Sequence, residues 1–185
     1  SAMAIGPGLT TDPETVALVG ELLPLIKCPL VIDADALNAI STHKNWLDIL
    51  NPETVLTPHP KEMSRLMGLA TQKIQKNRIA TASQFAADHS LTLVLKGSPS
   101  LIAMADGTVI INPTGNAGMA TGGSGDVLTG IIAGLMAQGL PQASIAGSYI
   151  HGQAGDYFAK NESETTLIAG DLLRSLPETL KRILP

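Results

Sequence analysis

A chain of 185 residues with 44% hydrophobic side chains is long enough to bury a sizeable core as one domain, residues 1–185. The net charge of −4, with no basic run, argues against a nucleic-acid partner, and no uninterrupted apolar stretch suits a membrane span. The lone Cys28 excludes a disulfide framework and suits a reducing, cytoplasmic setting, while the scarce aromatics advertise no base-stacking platform. The opening "SAM", residues 1–3, reads as an expression remnant. A helical pattern over about 12–25 comes next, then an apolar run over Leu30–Asp35, read as a buried strand. "TVLTPHP" repeats that design, and "PKEMSRLMG" predicts a helix over about 60–68 that Gly68 closes. A further helix is predicted over about 71–89, then a strand in "LTLVLKGSPS". "SLIAMADGTVIIN" places two apolar runs around Asp106-Gly107, a strong hairpin signal. The remainder is helical: one helix follows Asp126, another spans Pro141 to about Ala159, and the last covers about Leu167–Leu180. Alternating strands and helices predict an α/β fold, a doubly wound and mostly parallel sheet flanked by helices.

The densest chemical signal is "GGSGDVLTG", where Asp126 stands behind Gly122, Gly123, Ser124 and Gly125 at the start of an apolar helix. Glycines let the backbone approach a ligand, and a helix N-terminus offers free N–H groups and the positive dipole end to an anion. A carboxylate is redundant as the anion there, so Asp126 reads as a reactive group, against the plainer reading of an N-cap. No Gly-Lys-Ser/Thr triplet exists for a Walker loop, and Leu128 stands where a dinucleotide fingerprint needs its third glycine. Asp126 also occupies the place of the second glycine in a serine nucleophile elbow.

Ligands of open parallel sheets sit beyond the carboxyl ends of the strands. Asp33 and Asp35, His59 and Glu62, Lys96 and Ser100, and Asn112 with the glycine turn all follow strand ends. They are expected to converge on one edge.

"IGPGL", "VIDADALN", "LTPHPKE", "VLKGSPS" and "NPTGNAGMATGGSGDVLTGIIAGL" together resemble the ribokinase-like C-terminal domain of YjeF-type proteins, the ADP- or ATP-dependent NAD(P)H-hydrate dehydratases. The resemblance covers Ile5 to about Leu173 and is most specific in the glycine segment. It implies a ribokinase-like fold and a lyase that repairs nicotinamide cofactors hydrated at C6. ATP or ADP phosphorylates the hydroxyl, which then leaves as phosphate. It also implies Mg2+ and NAD(P)H-hydrate as the small-molecule partner. By the resemblance, Asp126 is the base and a substrate contact. Gly8 and His59 also bind substrate, while Gly122, Gly123, Ser124 and Gly125 bind nucleotide. Lys96, Gly97, Ser98, Pro99 and Ser100 match the nucleotide-binding "KGxxT", with serine for threonine, and Glu62 resembles an acid that orders Mg2+ through water. Gly6 is assigned to the turn, and His151 and Asp156 are left as ordinary helix residues.

One departure is large. The family carries a further stretch before "GPGL", with the first strands of the sheet, so this chain is expected to lack its N-terminal strands. An exposed sheet edge then favours a homo-oligomer. A small-molecule kinase of the same superfamily, or a non-catalytic nucleotide-binding module, are the alternatives.

Overall fold

A computed structural model describes residues 1–183. Six strands form one sheet in chain order: β1 (Met3–Ile5), β2 (Leu30–Ile32), β3 (Thr54–Leu56), β4 (Thr92–Leu95), β5 (Leu101–Ala103) and β6 (Val109–Ile111). The first four are parallel, while β5 and β6 pair antiparallel. The β5–β6 hairpin turns where the sequence placed it, with Gly107 at φ +84° and Asp106 Oδ1 accepting from Thr108 N–H. Met3, read as part of a remnant, pairs with Leu30 in the edge strand β1.

Alternation along the short strands divides the core into two faces. Leu30, Ile32, Leu56, Leu93 and Leu95 point to one side. There they pack on helices α1 (Pro13–Leu22), α2 (Ala34–Thr42), α3 (Pro60–Met67), α4 (Thr71–Lys76) and α5 (Arg78–Asp88). Val31, Val55, Val94 and Ile102 point to the other side, where Leu128 and Ile132 of α6 (Ser124–Ala137) cover them. Because strand order never reverses, the second face is covered by α6 from the C-terminal half and not by a change of winding. Behind α6 lie α7 (Ala143–Asn161) and α8 (Ala169–Ile183), joined through Ala154, Leu167 and Leu172.

Three local readings are corrected. The strand read as Leu30–Asp35 stops at Ile32, and Ala34 at φ +50° opens α2, which the sequence reading missed. The single helix over about 71–89 is two, broken at Asn77, which leaves helical geometry at φ −131° and ψ +42°. The helix placed after Asp126 begins at Ser124.

Candidate active site

The glycine turn enters α6 with Gly123 as N-cap at φ +84°. Asp126 therefore lies in the first turn and is not the N-cap, which removes the plainer reading of its role. Its carboxylate is exposed and makes no hydrogen bond or ion pair among the described residues. The backbone N–H groups of Gly122, Gly123, Gly125 and Asp126 likewise find no acceptor among the described residues. A side chain at Gly122 would meet nothing within 4 Å, so open space lies beside that residue. Free donors at the positive end of a 14-residue helix form an anion cradle with an unengaged carboxylate beside it.

Directly beneath the turn lies a charged cluster. Lys96, at the exit of β4, donates from Nζ to Asp33 Oδ1 at 2.7 Å, and Glu62 Oε2 is 3.8 Å from the same ammonium. Thr129 of α6 donates to Asp33 Oδ2 at 2.8 Å. Asp33 is 1% exposed, so desolvation obliges it to be paired. Lys96 is thus a compensated cation and not a solvated strand-end lysine.

His59 and Glu62 form the entry to α3. His59 Nδ1 accepts from the backbone N–H groups of Lys61 and Glu62, and Glu62 Oε2 accepts from His59 N at 2.7 Å, a reciprocal capping box. With Nδ1 accepting, the neutral ring carries its proton on Nε2, 3.3 Å from Glu62 Oε1. Burial lowers the His59 pKa, Glu62 opposes that shift, and Lys96 reinforces it.

Gly6 and Gly8 behave differently. Gly6, at φ +131°, packs its backbone against the Asp33 carbonyl, whereas Gly8 has open space where a side chain would project. The loop that follows them is docked at this edge through Thr10 N–H, which donates to Asp35 Oδ2 at 2.9 Å. Gly97, Ser98 and Pro99 are exposed at the exit of β4, where Gly97 packs on the Arg78 guanidinium. Ser100 turns its hydroxyl back to the Gly97 carbonyl at 3.1 Å, so the structure brings it to the edge without joining it to the turn.

What sequence reasoning missed is on α7. His151 Nε2 donates to the Ser124 carbonyl at 2.9 Å and so holds the first turn of α6. Burial drives its pKa down to about 4, against the hydrogen bond to Ser124 and assisted by Lys96. Asp156 accepts from Gly115 N–H at 2.9 Å and from Asn116 Nδ2 at 3.0 Å. Gly152 packs on Thr114, and Gly155 packs on Met119. The stretch "HGQAGD" is therefore the bed on which the loop before the glycine turn is shaped. Its spacing of small residues at 152 and 155 was the available signal.

Metal fit is limited. No cluster of three or more His, Cys, Asp or Glu side chains is formed among the described residues. Glu62 is buried, with both oxygens facing partners already on the page. The residues suit a cation carried by phosphates and water, as Mg2+ prefers, and not an all-protein cage. No helix among the described residues is long and apolar enough to cross a membrane.

Comparison with known proteins gives these features a family. The sequence profile of NAD(P)H-hydrate dehydratase matches residues 1–178. A bifunctional NAD(P)H-hydrate repair enzyme of Moorella thermoacetica is 52% identical over 183 residues, 98% of this chain and 34% of the relative. An ADP-dependent (S)-NAD(P)H-hydrate dehydratase of Bacillus subtilis is 36% identical, over 98% of this chain and 64% of the relative. A crystal structure of the Bacillus subtilis ADP/ATP-dependent enzyme, co-crystallized with ATP/Mg2+, superposes with a TM-score of 0.85 at 35% identity, covering 98% of this chain and 64% of that one. Hydroxyethylthiazole kinase of Pyrococcus horikoshii, at 17% identity and a TM-score of 0.72 over 98% of this chain and 71% of that one, shares the fold. The chain spans about a third of the bifunctional relatives' length and somewhat under two thirds of the single-activity ones. With the profile matching almost end to end, over a ribokinase-like sheet, the chain belongs to the NAD(P)H-hydrate dehydratase family.

Proposed function

We propose that this protein uses ADP or ATP to dehydrate NADH or NADPH hydrated at C6 of the nicotinamide ring. The observation that carries the reading is the juxtaposition at α6: four unpartnered N–H groups beside an unengaged, exposed Asp126. Asp126 takes the proton of the substrate hydroxyl as its oxygen attacks the terminal phosphorus, and the bond from that phosphorus to the nucleotide breaks. The free N–H groups hold the transferring phosphoryl where its charge is greatest. The carbon–oxygen bond then breaks, phosphate departs with the bonding pair, and the neighbouring ring carbon gives up a proton to the departing phosphate, which restores the double bond. Hydroxide is a poor leaving group and phosphate a good one, so a kinase-like site suffices for a dehydration.

By the family resemblance, Gly8 and His59 contact the hydrated ring, and Lys96 with Gly97–Ser100 contacts the nucleotide. When bound, Mg2+ would offset phosphate charge, and Glu62 would help hold it through water. The exposed apolar Leu18 and Leu25 support a homo-oligomer, and the free Cys28 suits a cytoplasmic location.

The test is recovery of NADH absorbance from purified NADH-hydrate on addition of the protein with ADP or ATP. Recovery with stoichiometric release of inorganic phosphate is expected. A product that retains the phosphate would replace this reading with a small-molecule kinase, and nucleotide binding without turnover would reduce the chain to a binding module.

A further inference from the structure

Asp33 is the most completely enclosed carboxylate at the candidate site, at 1% exposure, and it touches none of the open space over Gly122. Both of its oxygens are committed: Oδ1 accepts from Lys96 Nζ at 2.7 Å and Oδ2 from Thr129 Oγ1 at 2.8 Å. The three residues come from three elements, the exit of β2, the exit of β4 and the second turn of α6. They lie 63 and 96 residues from Asp33 along the chain. Burying a carboxylate is unfavourable, and apolar packing of the same volume is often as stable or more so. The pair therefore makes better sense as a device for geometry than as a source of stability.

That geometry has a definite object. A Cβ built on Gly125 would lie 3.2 Å from Lys96 Nζ and 3.6 Å from Asp33 Oδ2, so the ammonium sits against the floor of the glycine turn. The backbone of Asp33 is itself constrained from both sides. Ala34 is held at φ +50°, a conformation alanine seldom adopts, and Gly6 abuts the Asp33 carbonyl. A lysine on its four-carbon stem would otherwise sample many rotamers and reach out to solvent.

We infer that Asp33, together with Thr129, is a positioning element that fixes the Lys96 ammonium beneath the phosphate-binding turn of α6. Asp33 holds the charge in place, and Thr129 ties that charge to the helix whose N–H groups bind the same phosphates. Cation and N–H donors thereby keep one separation, and a nucleotide meets a prearranged set of contacts. Neither residue touches the phosphates itself. The inference rests on the reading of Gly122–Gly125 as the phosphate cradle.

The experiment is titration calorimetry of the whole chain with ADP and with adenosine, for wild type, Thr129→Val, Thr129→Ser and Asp33→Asn, each melted in parallel. Thr129→Val keeps the volume and removes the hydroxyl. It is expected to weaken ADP about fivefold to tenfold, the worth of one hydrogen bond to a charged network, and to leave adenosine unchanged. Thr129→Ser restores the donor and should recover most of the ADP affinity. Asp33→Asn keeps an acceptor for Lys96 without the charge and should weaken ADP at least as much as Thr129→Val. A merely structural role would weaken both ligands together or follow the melting temperature, and that pattern overturns the inference. So does wild-type ADP affinity in Thr129→Val, which decides the matter even where Asp33→Asn fails to fold. Wild-type protein that binds no ADP at all overturns the phosphate cradle itself, a result distinct from the other two.

Discussion

Lys96 Nζ and Asp33 Oδ1, 2.7 Å apart, join two strand exits into one charged floor under the N-terminus of α6. The lysine keeps 19% of its side-chain exposure and the aspartate 1%, so the cation faces the open edge and the anion faces inward.

Lys96→Ala is expected to affect both stability and ADP affinity. Removing the cation leaves Asp33 buried and unpaired, a loss of about 3 kcal/mol, at the lower end of the range because the ammonium still meets water. For a chain of this size that corresponds to roughly 10 °C in melting temperature. ADP affinity should fall about tenfold to a hundredfold, as for one charge-assisted contact. Adding Asp33→Asn should return part of the stability, because the stranded charge is gone, and none of the affinity. Calorimetry of unfolding and of ADP binding on the single and double variants separates the two effects.

Asp126→Asn should leave the fold nearly untouched, since the side chain is exposed and bonds nothing among the described residues. Loss of its favourable interaction with the helix dipole is worth about 0.3–1 kcal/mol. Turnover of NADH-hydrate should nonetheless drop by about 10²–10⁴, the usual contribution of a general base. Near-wild-type turnover in a well-folded variant would remove the base from the mechanism.

His151 gives the folded state an acid limit. Its pKa is lowered from the ordinary histidine value of 6.5 to about 4, chiefly by burial. Between those values the unfolded chain binds more protons than the folded one, so stability rises with pH across that window and falls on acidification. The contribution is complete above about pH 6.5, and its loss reaches about 3 kcal/mol by pH 4. His59 is lowered in the same direction and adds to the trend. Denaturant midpoints measured from pH 7.5 to 4.5 should decline in wild type and decline less steeply in His151→Gln.

Two glycine substitutions should act in opposite directions. A Cβ at Gly152 would stand 2.7 Å from the Thr114 carbonyl carbon, which belongs to backbone and cannot step aside cheaply. Gly152→Ala is expected to lose about 1–3 kcal/mol through overpacking and to loosen the loop before the glycine turn. Gly130 sits in the interior of α6 with nothing within 4 Å of its would-be side chain. Gly130→Ala should gain about 0.5–1 kcal/mol from helix propensity. Melting temperatures of the two variants, taken side by side, test both.

The sequence by itself determined whatever depends on neighbours along the chain. Asp106-Gly107 specified the hairpin because a tight turn needs residues that tolerate φ > 0. "PKEMSRLMG" announced α3 and Gly68 its end, since a left-handed glycine cap is local chemistry. The run of glycines before Val127 announced a turn with free N–H groups, because unpaired donors at a helix start follow from the helix itself. The helix α2 was less legible. Its buried Ala36, Leu37 and Ile40 have helical spacing, but the apolar run that feeds it absorbed the signal up to Asp35. No local pattern marks an alanine at φ +50°; the Gly6 backbone packed on the Asp33 carbonyl accompanies that turn.

Only the tertiary structure decided which charges meet. The strand-end pattern brings Asp33 and Lys96 to one edge, but their direct pairing and the part of Thr129 in it are set by strand order and by the placement of α6 over the sheet. The same holds for α7. His151 and Asp156 look like ordinary helix residues until the loop from β6 is laid on them. A helix face records its spacing in the sequence, but the partner it receives is chosen by the fold.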